Sequence, residues 1–146
     1  PTAGTCGFIT DAMNQLDEWH KNKRMKAPAM IVPYGQEYAD EIWAMGKANL
    51  LLRNIGDNAK DVYDSIKDLS VHIAFGDTLS DDKFPDLKFN YQLSNPPYGK
   101  KWEAEEDAVK EEAARGFKGR FGAGLPSIDD GAMLFLQHVV SKEILR

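Results

Sequence analysis

Asn95-Pro96-Pro97-Tyr98 is the segment best suited to chemistry, and it follows the apolar, strand-like run Tyr91-Gln92-Leu93-Ser94. Two consecutive prolines lock the backbone and donate no hydrogen bonds. Carbonyls in such a turn are left to point at a ligand, the Asn95 side chain adds an acceptor, and Tyr98 supplies a flat face. That set suits capture of a planar group bearing an amine, such as adenine. An amine held by two acceptors keeps its lone pair aimed at an incoming methyl group. The competing reading is an ordinary proline turn after a strand.

Three other segments could serve such a turn. The chain opens Pro1-Thr2-Ala3-Gly4-Thr5-Cys6-Gly7-Phe8, and Ile9, Ala12, Leu16 and Trp19 then share one face at helical spacing. A glycine turn opening a helix lets a ligand approach the backbone at the positive helix end. The glycines are spaced G-x-x-G, not in the dinucleotide pattern G-x-G-x-x-G. The apolar start of Met30-Ile31-Val32-Pro33-Tyr34-Gly35-Gln36-Glu37 reads as a strand with Glu37 at its exit, where an α/β sheet holds the hydroxyls of a ribose. Pro33 belongs near the strand end, because it removes a ladder donor. Val71-His72-Ile73-Ala74-Phe75 reads as a further strand with Asp77 at its exit, placed to accept from an adenine amine. Glu37 could instead favour the first turn of the next helix, and Asp77 could bond its own backbone in a turn.

Taken in order, P-T-A-G-T-C-G-F, Y-G-Q-E, G-D-T-L, L-S-N-P-P-Y-G, G-R-F-G-A-G-L-P and D-G-A-M-L-F-L-Q-H form one series. The series closely resembles the modification (methylase) subunit of type I restriction–modification systems, an adenine-N6 DNA methyltransferase using S-adenosylmethionine. The resemblance runs from residue 1 to about residue 142. N-P-P-Y by itself also occurs in enzymes that methylate glutamine side chains or RNA adenines. The resemblance implies a three-layer, Rossmann-like α/β fold of the class I methyltransferases. It also implies that Thr2, Ala3, Gly4 and Gly7 line the methionine end of the cofactor, that Glu37 holds the ribose, and that Asp77 contacts the cofactor adenine. Asn95 and the Pro96 carbonyl, with Pro97 fixing the turn, would accept from the target amine, and Tyr98 would stack on the flipped base.

The sequence departs from that pattern in two places. The family carries Gly where Cys6 stands, and a Cβ restricts the backbone there. The family also has an Asp just before Pro1, at the end of a strand. Residues 1–146 are therefore expected to be a partial catalytic domain, an incomplete fragment of the fold whose free sheet edges would invite self-association.

Composition bounds the remaining possibilities. A hydrophobic fraction of 42% with 28% charged residues argues against disorder. No apolar run is long enough to cross a membrane, no signal-peptide pattern occurs, and the single cysteine cannot form an internal disulfide, all consistent with a cytoplasmic protein. His20, His72 and His138 lack metal-ligand spacing, so no metal is expected. A net charge of −5 argues against this chain gripping DNA alone. The resemblance implies that a specificity subunit supplies recognition, alongside a restriction subunit and DNA with a flipped adenine. Lys100, Lys101, Arg115, Lys118 and Arg120 remain, and Gly116 to Gly124 reads either as a flexible flap near the DNA backbone or as a solvent-exposed loop.

The other segments read as scaffold. Tyr38, Ile42, Met45, Asn49 and Leu52 share a helix face that Gly56 would terminate, and Asp57 to Leu69 predicts a short helix. Trp102 to Ala114 predicts a solvated helix, and Asp129 or Asp130 a cap for a last helix with Met133, Leu134, Leu136 and Val140 inward. The alternatives are a protein-glutamine methyltransferase and an inactive cofactor-binding or assembly fragment. A nicotinamide oxidoreductase is set aside on glycine spacing.

Overall fold

The computed structural model describes residues 1–24, 26, 31–54 and 72–144. The chain divides into two compact units, Ala3–Phe75 and Pro1–Thr2 with Gly76–Arg146.

In the Ala3–Phe75 unit, α1 (Gly7–Lys21), β1 (Gly35–Glu37), α2 (Asp40–Asn54) and β2 (Ile73–Phe75) follow in order. The strands pair in parallel, with Gly35 opposite Ile73 and Glu37 opposite Phe75. Parallel strands require a crossover between them, and α2 lies in that connection. Cys6, Leu50 and Ile73 form the buried centre, with Ala3, Ile9, Met13, Trp43 and Leu51 against it. The Trp43 indole Nε1 donates to the Ile73 carbonyl at 2.8 Å, tying α2 to β2. Gly35 sits in close approach to the loop, since a Cβ there would lie 3.0 Å from the Ala3 Cβ. Helix α1 opens after Cys6, whose φ of 60° is left-handed. It closes through amides of Asn22, Lys23 and Arg24 that return to its last carbonyls.

Several expectations are corrected in this unit. The strand expected from Met30 begins instead at Gly35, beyond Pro33, which lacks the amide a ladder needs. Met30 itself, Val71, Gly56 and the helix expected over Asp57 to Leu69 lie outside the described residues. Helix α2 turns its other face inward: Trp43, Gly46 and Leu50 pack, whereas Tyr38, Ile42, Met45 and Leu52 are exposed. On α1, Trp19 is exposed while Ile9 and Met13 pack.

The second unit contains α3 (Glu106–Ala113), preceded by a 3-10 turn at Glu103–Glu105 and followed by another at Gly116–Lys118, and then α4 (Ala132–Ser141). Leu79, Trp102, Val109, Phe121, Leu134 and Phe135 form its core. Trp102 is pinned at both ends, its amide donating to Ile128 O at 3.1 Å and its indole to Ser127 O at 2.9 Å. Phe89 bridges Glu143 in parallel register, its amide donating to Lys142 O and its carbonyl accepting from Ile144 N. The Lys142 ammonium is buried against Asp82 and also donates to the carbonyls of Phe84 and Pro85.

The Gly116–Gly124 segment is exposed on one side, at Phe117, Lys118, Ala123 and Gly124, and packed on the other. A Cβ at Gly119 would lie 2.1 Å from Glu112 O and one at Gly122 2.2 Å from Gly116 O, so the chain is packed on itself. Phe121 is fully buried. The Arg120 guanidinium donates from Nε to Glu112 Oε1 at 2.8 Å and from Nη2 to Leu79 O at 2.9 Å, and it faces His138 Nδ1 at 3.1 Å. Tyr91 to Ser94 is not a strand; the bridge lies earlier, at Phe89. On α4, Leu134, Phe135 and His138 face inward, while Met133, Leu136 and Val140 are exposed. Gly131, not Asp129 or Asp130, occupies the N-cap, because a Cβ there would meet Lys100 O at 2.8 Å. The segment from Trp102 to Ala114 is solvated on one side only, since Trp102, Glu105 and Val109 are buried.

Candidate active site

The glycine loop and Glu37 meet within the Ala3–Phe75 unit. Ala3 N donates to Gln36 O at 2.9 Å, laying the loop along β1. Gly4 has a φ of 57°, a left-handed conformation natural to glycine. Its amide donates to Glu37 Oε2 at 2.8 Å. Glu37 Oε1 accepts from Tyr38 N at 3.0 Å and Ala39 N at 3.2 Å, where the chain turns into α2. One carboxylate therefore joins the loop, the strand end and the start of a helix. Cys6 takes a left-handed conformation, uncommon for a residue with a Cβ. Burial, and then the Glu37 charge, push its thiol up to about 11, so it stays protonated. Gly7 opens α1, and a Cβ added at Gly4 or Gly7 would meet nothing within 4 Å.

In the second unit, Thr2 and Ser94 share a hydroxyl–hydroxyl hydrogen bond of 2.9 Å, next to Asn95. Thr2 has a φ of 49°, a strained conformation for a β-branched residue. Asn95 and Tyr98 are exposed, Tyr98 at 82%, with Pro96 and Pro97 half-buried between them. Among the described residues, neither the Asn95 side chain nor the Pro96 carbonyl has a hydrogen-bond partner. Gly99, at φ 69°, ends the turn.

Asp77 follows β2 and caps its own turn: Oδ1 accepts from Leu79 N at 2.7 Å and Ser80 N at 3.2 Å. Its other oxygen pairs with Lys100 Nζ at 3.2 Å, and the same ammonium reaches Glu105 at 3.3 Å. Burial opposes the charge of Asp77, but Lys100 and the two amides outweigh it and hold its carboxyl below the ordinary range. Lys100 is likewise desolvated, yet the two carboxylates hold its ammonium above the ordinary lysine range. Lys100 is thus engaged inside the protein and is not a spare cation for a phosphate.

Sequence reasoning did not single out Ser94, Gly46 or Asn49, which touch Thr2, Cys6 and Thr5 respectively. Ser94 sits beside the conspicuous Asn95, and Asn49 lies in a helix face otherwise apolar, which was its only visible signal.

A family model described as N-6 DNA Methylase matches residues 1–143. The chain belongs to that family. It is accordingly an adenine-specific DNA methyltransferase by membership, and its family generally uses S-adenosylmethionine. No curated protein and no solved structure matches the chain significantly. Within this methylase, no group of His, Cys, Asp and Glu among the described residues could hold a metal ion, and no described helix is long and apolar enough to cross a membrane.

Proposed function

We propose that this methylase is the modification subunit of a type I restriction–modification system, transferring a methyl group from S-adenosylmethionine to the N6 amine of adenine. In this reading residues 1–146 belong to a Rossmann-like catalytic domain acting in the cytoplasm with a specificity subunit and a restriction subunit. The observation that carries the chemistry is the turn at Asn95–Tyr98: two acceptors without partners among the described residues, beside a tyrosine ring exposed at 82%.

The residues present fit the cofactor. Space is open over Gly4 and Gly7. The first bond of α1 runs from Thr10 N to Cys6 O, which leaves the preceding amides Gly7, Phe8 and Ile9 outside the helical ladder at its positive end. That end suits the carboxylate of a methionine moiety, and Thr2 and Ala3 are assigned to the same group as the resemblance implies. Glu37 Oε2 accepts one bond, from Gly4, and a carboxylate oxygen has room for a second from a ribose hydroxyl. Asp77, already bonded to two amides and Lys100, would add an adenine amine to its remaining capacity.

S-adenosylmethionine supplies an already activated methyl group, so no covalent enzyme intermediate is needed. The protein contributes alignment and electrostatics. Asn95 and the Pro96 carbonyl accept from the target amine and turn its lone pair toward the methyl donor. Tyr98 stacks on the extruded base, offsetting about 1–3 kcal/mol of the unstacking cost. Neither acceptor is a strong base, so the proton passes to solvent after transfer. The net charge of −5 leaves the grip on DNA to a basic partner.

The test combines Asn95→Ala with calorimetric titration of S-adenosylmethionine. Methyl transfer should disappear while cofactor affinity stays at the parent value. Equal loss of both would remove Asn95 from the chemistry. Label recovered in protein, not DNA, would favour glutamine methylation instead.

A further inference from the structure

We infer that Gly46 and Asn49 of α2 are positioning residues that set the Gly4–Cys6 loop for S-adenosylmethionine. The inference rests on the reading of that loop as the cofactor loop. Gly46 lies inside a helix, where glycine is less favourable than alanine, so its presence calls for a local cause. The cause is contact with the loop. A Cβ at this position would stand 2.9 Å from Cys6 Sγ, 3.0 Å from Gly4 O and 3.3 Å from the Thr5 carbonyl carbon. Two of these neighbours are backbone and cannot swing aside.

Asn49 is three residues further along the same helix, hence on the same face. Its Nδ2 donates to Thr5 O at 3.0 Å. The Thr5 peptide lies between two left-handed residues, Gly4 at φ 57° and Cys6 at φ 60°. Local preference alone does not hold a non-glycine residue such as Cys6 in that conformation. Asn49 holds the Thr5 carbonyl, Gly46 provides the space, and Glu37 holds the Gly4 amide at 2.8 Å. The loop is therefore fixed before the cofactor arrives. Pre-organisation of this kind appears as affinity, because the bound shape need not be selected during binding. The Cys6 thiol, wider than the glycine that the family pattern has there, is seated against the one helix position without a side chain.

The test is calorimetric titration of the 146-residue chain with S-adenosylmethionine, with a thermal melt of each variant. Asn49→Asp keeps the shape and removes the donor, and Asn49→Ala controls for the added charge. Each should weaken binding about fivefold, the worth of one net hydrogen bond, with the melting temperature essentially unchanged because Asn49 is exposed. Gly46→Ala should weaken binding about tenfold by pushing the loop. Variants that bind like a binding-competent parent overturn the inference alone. Affinity lost only in step with a collapse of the melting temperature also overturns it, because the residues would then be structural. A parent that does not bind overturns the cofactor-loop reading and the inference with it.

Discussion

Arg120→Met separates a buried structural arginine from one that contacts DNA. The Arg120 side chain is 9% exposed and its Glu112 partner 23%. Methionine retains the apolar stem but none of the donors. The substitution strands Glu112 Oε1, which accepts at 2.8 Å, and Leu79 O, which accepts at 2.9 Å. Removing one partner of a buried ion pair costs about 3–5 kcal/mol. Glu112 retains some access to water, so the lower end applies, about 3 kcal/mol. At about 4 °C per kcal/mol for a chain of this size, the melting temperature should fall by about 12 °C. Thermal melts followed by circular dichroism would read this directly. The companion assay is DNA binding against salt concentration. An unchanged melting temperature, together with weaker DNA binding and a salt slope reduced by about one, would make Arg120 a phosphate contact and refute the packing account.

Two further outcomes are expected. Burial foremost, with the nearby Arg120 and Lys142, pushes the His138 imidazole from 6.5 down to about 3, against the opposing pull of Asp82. Between those values the unfolded chain binds a proton that the folded chain does not, so stability falls as pH falls, approaching about 1.4 kcal/mol per pH unit. Denaturant midpoints should fall only slightly just below pH 7 and steepen toward that slope by about pH 5, and His138→Gln should flatten the profile; an equal profile in the variant would assign the effect elsewhere. Tyr98→Ala should leave stability unchanged, since the ring is 82% exposed. It should slow methyl transfer by about 5- to 150-fold through lost stacking, with Tyr98→Phe restoring most of the rate. Full activity in Tyr98→Ala would exclude the stacking role.

The parts of the candidate site that were legible in the sequence are those whose local backbone is fixed by residue type. Gly4 adopts a left-handed conformation, and Glu37 and Asp77 both stand at or just beyond the ends of short strands. The inward faces of the helices were less legible. Helix α2 carries apolar residues on two sides, so periodicity permits either Ile42 and Met45 or Trp43 and Leu50 as the core face. The choice is made by tertiary contact: the Trp43 indole reaches Ile73 O, and Gly46 accepts the loop. The same ambiguity affected α4, whose Phe135 and His138 pack while Leu136 does not. Arg120 was misread because a cation in a glycine-rich string has the composition of a solvated loop. Its partners, Glu112, Leu79 and His138, come from three separate parts of the chain, and no local pattern joins them.

Methyl transfer to adenine N6 at the Asn95–Tyr98 turn is the central step. Its most direct test is chromatography and mass spectrometry of nucleosides from DNA incubated with S-adenosylmethionine, a specificity partner, and either the parent chain or Asn95→Ala. N6-methyladenine should accumulate with the parent and be absent with the variant. Equal N6-methyladenine from both would contradict the assignment of Asn95, and a different methylated nucleoside would contradict the chemistry assigned to the turn.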